Sequence, residues 1–318
     1  MKNIDKRSII LVYTFLLALT FPIASYCSSP IKATAIVSDT IIRQSNLIAD
    51  GAKPQLISKQ FSFTEGPTVD KKGNVFFTDQ PNDKIWKYDT NGKLAVFMNK
   101  TGRSNGLYFD KKGNIIACAD EQDQLWSISP KKKITVLVDG FEGKKLNGPN
   151  DLWIDNKGGI YITDPYYQRD YWMRKKPDLA GQKVYYLPKG KKELLMVADN
   201  FVKPNGIVGT PDGKYLYVAD IGDDKTYKYD IGADGTLQNR RIFTSKGADG
   251  ITLDNQGNLY LSGNGITVFD PAGKQIEHIN IPAKWTANLC FGGKNRDQLF
   301  ITASESIYLL QMKVKGVE

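Results

Sequence analysis

The sequence predicts an all-β protein, a six-bladed β-propeller with four strands per blade and a ring closed by an N-terminal strand. Three observations predict it. A short phrase recurs six times along the chain, and a second hairpin follows most copies. A spare strand also precedes the first copy, where the last copy is one strand short.

The phrase opens as Glu65-Gly66-Pro67-Thr68-Val69-Asp70, turns at Gly73-Asn74 and continues as Val75-Phe76-Phe77-Thr78-Asp79. It returns from Asn105-Gly106, from Asn150-Asp151, from Asn205-Gly206 and from Asp249-Gly250, and more loosely from Ala287-Asn288. Each copy reads as a short strand, a turn built on Asp and Gly, and a more apolar strand. Asp and Gly suit that turn because they cap the local backbone or tolerate its left-handed residues. The fourth turn is rearranged as Pro211-Asp212-Gly213, and the sixth is degraded.

The second hairpin is clearest in Ile85-Trp86-Lys87-Tyr88, Asp89-Thr90-Asn91-Gly92, Leu94-Ala95-Val96-Phe97. A unit of four strands in about 40 to 55 residues has the spacing of a propeller blade. Trp86, Trp126, Tyr185 and Tyr229 recur on third strands and are expected to pack between blades. No stretch holds a long 3.6-residue periodicity, so helices are minor. The last unit ends after Ile307-Tyr308-Leu309-Leu310, and residues 54–60 supply the strand that closes the ring and hides its open edge.

Composition fits this frame. Of 318 residues, 41% are hydrophobic and 24% charged, which is globular, and 29 glycines and 16 tyrosines suit many short strands and tight turns. Residues 1–27 read as a signal peptide: a basic start, an apolar run from Ser8 to Ala24, then small residues. Residues 28–52 are read as an N-terminal extension and 53–318 as the propeller. The expected location is periplasmic or secreted, with lipid modification at Cys27 as the lesser alternative and no stable membrane span in the mature form. The formal charge of +9 drops to about +7 without the leader. Its lysines sit at turn tips such as Asp70-Lys71-Lys72-Gly73, which reads as solvation and not as a nucleic-acid groove. Cys118 and Cys290 fall in apolar strands and are expected to be buried thiols.

The first strand of each blade lines the channel of a propeller. Aligning the copies puts Glu65, Asn105, Asn150, Asn205, Asp249 and Ala287 at one phase, converging on the axis. Asn-Gly and Asp-Gly are ordinary strand openers, but a turn role does not explain glutamate at this phase in the first copy. Two carboxylates with up to three amide oxygens, and no histidine or thiolate beside them, match a hard divalent cation. Ca²⁺ is the leading choice, with Mg²⁺, Mn²⁺ and Zn²⁺ as alternatives.

These residues carry a resemblance. From about Leu56 to the C-terminus, the chain resembles the gluconolactonase, senescence marker protein (regucalcin) and luciferin-regenerating enzyme family. The matching phrases include Phe63-Thr64-Glu65-Gly66-Pro67, Asn147-Gly148-Pro149-Asn150-Asp151-Leu152, Lys203-Pro204-Asn205-Gly206 and Ala248-Asp249-Gly250. The resemblance implies a metal held by Glu65, Asn150, Asn205 and Asp249, with Asn105 near substrate. It also implies a metal-dependent hydrolase that opens a small sugar-acid lactone, with Asp249 as ligand and base. Glu65 is the second catalytic candidate; Asn105 and Asn150 are candidates for substrate hydroxyls, and Asp151 for orienting the site. A metal-dependent aryl esterase or phosphotriesterase, or a non-catalytic periplasmic ligand-binding propeller, remains open on the residues.

Three other features carry less. Gly102-Arg103-Ser104-Asn105-Gly106 matches the G-x-S-x-G pattern, but a strand follows it where a nucleophile elbow needs a helix. His278 is the only histidine and falls on an outer strand. Residues 166–182 interrupt the third blade with four aromatic and several basic residues, placed to lean over the pit or to form an interface.

Overall fold

A computed structural model describes residues 46–317. The proposed signal peptide, Cys27 and most of the extension lie outside the described residues. Among the described residues, twenty-four strands form six four-stranded sheets, every pairing antiparallel. Blade 1 runs Thr64–Val69, Val75–Asp79, Lys84–Tyr88, Leu94–Asn99 from the axis outward. The next four blades repeat that order. Blade 6 takes Asn288–Gly292, Gln298–Ala303 and Ser306–Gln311 from the C-terminal end and Gln55–Ser58 from the N-terminal end. In that seam Gln55 faces Leu309 and Leu56 faces Tyr308, as the spare strand predicts. Residues 47–52 also pack against the ring: Leu47 is buried in the core shared by blades 5 and 6, and Ile48 bridges Met312. Among the described residues the helical elements are two three-residue 3₁₀ turns, Gln80–Asn82 and Asp120–Gln122.

The core lies between blades, where each sheet presents alternate side chains to its neighbour. Phe77 and Phe300 meet at 5.4 Å across blades 1 and 6, and Tyr260 and Phe291 at 5.4 Å across blades 5 and 6. Trp153 lies so close to Gly209 that a Cβ there would sit 2.4 Å from the indole. Cys118 and Cys290 are buried in these layers.

At the axis the blades are tied by hydroxyls. Thr78 donates to the carbonyl of Asn105 (3.1 Å), Thr163 to that of Asn205 (2.7 Å) and Ser262 to that of Ala287 (2.7 Å). In blades 1, 3 and 5 the second strand thus fixes the backbone of the ring residue in the next blade. The aspartates that end second strands do a related task. Asp79 accepts from Ser62 and Phe63, Asp164 from Asn147 and Gly148, and Asp220 from Val202 and Lys203, holding the loop that leads into each inner strand.

Antiparallel order gives the ring two distinct ends. Turns between second and third strands, and the links between blades, lie at one end. Turns between first and second and between third and fourth strands lie at the other.

Candidate active site

Glu65, Asn105, Asn150, Asn205 and Asp249 come from five different blades and line one cavity of about 410 Å³. It opens at the end that carries the second-to-third-strand turns. The first four are 2–5% exposed, and Asp249 is partly accessible. The sixth phase, Ala287, is buried and brings no polar atom.

Glycine at the next position makes the convergence possible. A Cβ on Gly106 would lie 2.7 Å from the Asn150 carbonyl oxygen, and one on Gly250 would lie 2.1 Å from the Asn288 side chain. Neighbouring inner strands therefore approach closer than any side chain allows. Two blades break the glycine pattern, with Asp151 and Asn288, and these side chains fill the axis beneath the pit. Asp151 does not line the cavity. Its carboxylate accepts from the Leu152 amide (2.9 Å) and faces the Asn288 amide at 3.5 Å. Burial pushes it up to about 7.

The two pit carboxylates are held differently. Glu65 accepts from the Gly66 amide at 3.0 Å, and Asp249 accepts from the indole N–H of Trp285 at 2.6 Å. Burial raises both above the ordinary carboxylate range, and the neighbouring Asp249 charge raises Glu65 further. Such a pair favours a cation between its members. The donors available are carboxylate and amide oxygens, and among the described residues no group of three or more His, Cys, Asp or Glu forms a rival centre. Glu65, Asn150, Asn205 and Asp249 therefore fit a hard divalent ion, as oxygen ligands with room left for water or substrate.

The walls hold residues that the repeat does not mark. Phe63, Pro81, Ile221 and Trp285 are apolar faces, and Gln80 brings an amide whose nitrogen is buried without a partner. The blade 3 insertion closes one side. Tyr167 and Arg169 line the cavity, and Asn205 donates to the Tyr167 hydroxyl at 3.0 Å. The segment is strapped to blade 2. Arg169 pairs with Asp120 at 3.1 Å, Tyr171 bonds the same carboxylate, Trp172 donates to the Asp120 carbonyl, and Arg174 pairs with Asp123. Burial raises Asp120 and takes Asp123 up to about 6, with the arginines pulling the other way.

The features set aside stay outside the pit chemistry. Ser104 donates its hydroxyl to the Thr101 carbonyl and the strand Leu107–Phe109 follows, so no elbow forms. His278 sits on the outer strand of blade 5 beside Thr267.

With this geometry in place, the comparisons with known proteins are specific. Residues 63–305 match the family model described as the SMP-30/Gluconolactonase/LRE-like region. A gluconolactonase of Zymomonas mobilis is 29% identical over 304 residues, covering 85% of this chain and 84% of its own. The solved structure of a Xanthomonas campestris gluconolactonase superposes with a TM-score of 0.78 at 27% identity, covering 84% of this chain and 91% of that one. A calcium-binding protein, regucalcin of Agrobacterium tumefaciens, shares the fold with a TM-score of 0.70 at 19% identity, covering 83% and 95%. The chain belongs to the SMP-30/gluconolactonase/LRE-like family.

Proposed function

We propose that this protein is a divalent-cation-dependent lactonase that opens a small sugar-acid lactone in the pit. The observation that carries the reading is the convergence of two carboxylates and three amides from five blades in one cavity of about 410 Å³. The gluconolactonase relatives support lactone hydrolysis, and the relative named as calcium-binding supports Ca²⁺ as the ion.

Glu65, Asn150, Asn205 and Asp249 would hold the cation. When bound, it supplies Lewis-acid polarisation of the carbonyl and charge stabilisation of the oxyanion. Asp249, oriented by Trp285, takes the proton from the attacking water. The new C–O bond forms at the lactone carbonyl, the ring C–O bond breaks, and the ring oxygen leaves with the proton as a hydroxyl. Asn105 hydrogen-bonds substrate hydroxyls from the pit floor. Phe63, Ile221 and Tyr167 cover the ring carbons, and the strap keeps bulk water from that side.

The test is a panel of aldonolactones, aryl esters and a phosphotriester, assayed with added Ca²⁺ and after chelation. The expected result is lactone hydrolysis that chelation abolishes. Asp249→Asn is expected to lower kcat/KM by about 10³-fold with an unchanged circular dichroism spectrum. Preference for the aryl ester or phosphotriester would overturn the lactone assignment, and an unaffected Asp249→Asn variant would overturn the mechanism.

A further inference from the structure

The two ends of the ring differ in charge, and the difference is confined to one half of one end. At the end away from the pit, blades 1–3 present the turns 70–74, 89–93, 110–114, 129–133, 155–159 and 188–193. These hold twelve lysines against four aspartates and one glutamate. The corresponding turns of blades 4–6 hold three lysines and one arginine against five aspartates. All twelve lysines are exposed, and none forms an ion pair with a described residue. The four aspartates are folded into their own turns; Asp70, for example, accepts from the Lys72 and Asn74 amides. The positive field of this half-face is therefore not neutralised locally.

The same half-face carries a cavity of about 600 Å³ between blades 1 and 2. Phe76, Phe97, Phe109 and Ile115 contribute its apolar wall, and Lys71, Lys72 and Lys111 stand at its mouth. An apolar slot rimmed by ammonium groups matches an amphiphile with an anionic head. The cations of these turns are all lysine, and the one arginine that lines the slot, Arg296, donates to the Asp70 carbonyl. Lysine is a compact point charge without the planar fork that reads individual phosphates, so this surface suits a diffuse anionic plane. Nucleic-acid recognition would instead favour arginine forks and stacked aromatics along a groove.

We infer that the blade 1–3 half-face docks the protein on anionic phospholipid membranes, with the inter-blade slot receiving part of a lipid. The pit, at the opposite end, then faces solution and remains open to a soluble substrate. Attraction of this kind scales with the lysines near the surface and is screened by salt.

The test is co-sedimentation of the full chain with vesicles of phosphatidylcholine alone or with about 30% phosphatidylglycerol. Wild type is expected to sediment with the anionic vesicles only, with affinity falling at least about tenfold between low and high salt. Lys72→Glu/Lys112→Glu/Lys131→Glu/Lys191→Glu is expected to lose that binding by about a hundredfold and to keep its lactonase kcat/KM. A control of equal charge change at the pit end, Lys100→Glu/Lys144→Glu/Lys176→Glu/Lys284→Glu, is expected to retain vesicle binding. Every variant carries residues 1–45 unchanged, so any contribution from that segment cancels. Equal loss in both quadruple variants would reduce the effect to net charge and overturn the proposal. Wild-type binding to neutral vesicles, or to DNA or heparin in place of anionic vesicles, would overturn it as well.

Discussion

Asp249 is held by an indole donor, Trp285 at 2.6 Å, where the side-chain partner of Glu65 is the amide of Asn288. A hydrogen bond to a carboxylate orients the oxygen that must receive the water proton, and such bonds contribute about 1.5–3 kcal/mol. Trp285→Phe keeps an apolar wall and removes that donor, so kcat is expected to fall about tenfold to a hundredfold with KM little changed. A change confined to KM would make Trp285 a wall residue only. The ring residues were legible because one phase of a sixfold repeat isolates them. Trp285 was not, because it precedes the sixth inner strand in a loop with no counterpart in the repeated phrase. Gln80 escaped for another reason: its phase holds Asp120, Pro165 and Ile221 in later blades, so no chemistry repeats there. Asp164 shows what the repeat conceals about energetics. It is buried, accepts from the Asn147 and Gly148 amides, and burial still pushes it up to about 7. A carboxyl raised in the fold binds its proton more tightly than the unfolded chain does. Its stabilising contribution is thus full below the ordinary range near pH 4 and is lost as pH rises through 7. Urea unfolding of wild type relative to Asp164→Asn should therefore weaken between about pH 4 and 7, by at most about 1.4 kcal/mol per pH unit. A difference that grew with pH would mean that the two amides hold the ionised form.

At the scale of elements, the strap on blade 3 is the part whose presence was readable and whose destination was not. Its length shows as a break between the second strand Ile160–Asp164 and the third strand Gln182–Leu187. Its direction depends on Asp120 and Asp123, which lie in another blade and outside any shared motif. Two buried carboxylates there require cations, and Arg169 and Arg174 supply them. Arg174 also bonds the Leu146 and Asn147 carbonyls, so one side chain joins strap, 3₁₀ turn and the loop ahead of Asn150. Arg174→Ala should free the strap, raise KM for the lactone about tenfold and change kcat less, because Tyr167 then leaves the wall. Limited trypsin digestion should cut faster after Lys175, exposed in the strap. Arg174→Lys should recover part of the effect through the Asp123 pair but not the carbonyl contacts. Unchanged digestion with a raised KM would assign Arg174 a direct role toward substrate.

The whole ring depends on one seam. Five blades are each made by consecutive strands, so their edges are joined by short turns, whereas blade 6 joins residues from the two ends of the propeller. This was legible from the sequence as a strand missing at one end and spare at the other. The packing of residues 47–52 against blades 5 and 6 was not, since Leu47 and Ile48 belong to no repeat. Global opening should begin where only strand pairing and side-chain packing hold, without a covalent turn, because separating that pair releases the largest loop at the least local cost. Gln55 and Leu309 face each other there, one exposed and the other partly so, so replacing both costs only the partial packing of Leu309 against the core of blades 1 and 6. The variant Gln55→Cys/Leu309→Cys should close the seam covalently around nearly the whole ring. Its stabilisation is bounded by loop-closure entropy at about 5 kcal/mol, less any strain in the bridge. For a domain of this size that is a rise in Tm of roughly 5–15 °C in the oxidised protein, reversed by reductant. Oxidised and reduced protein melting together, with the bridge verified by mass, would place the first opening at another blade and remove the seam from its controlling role.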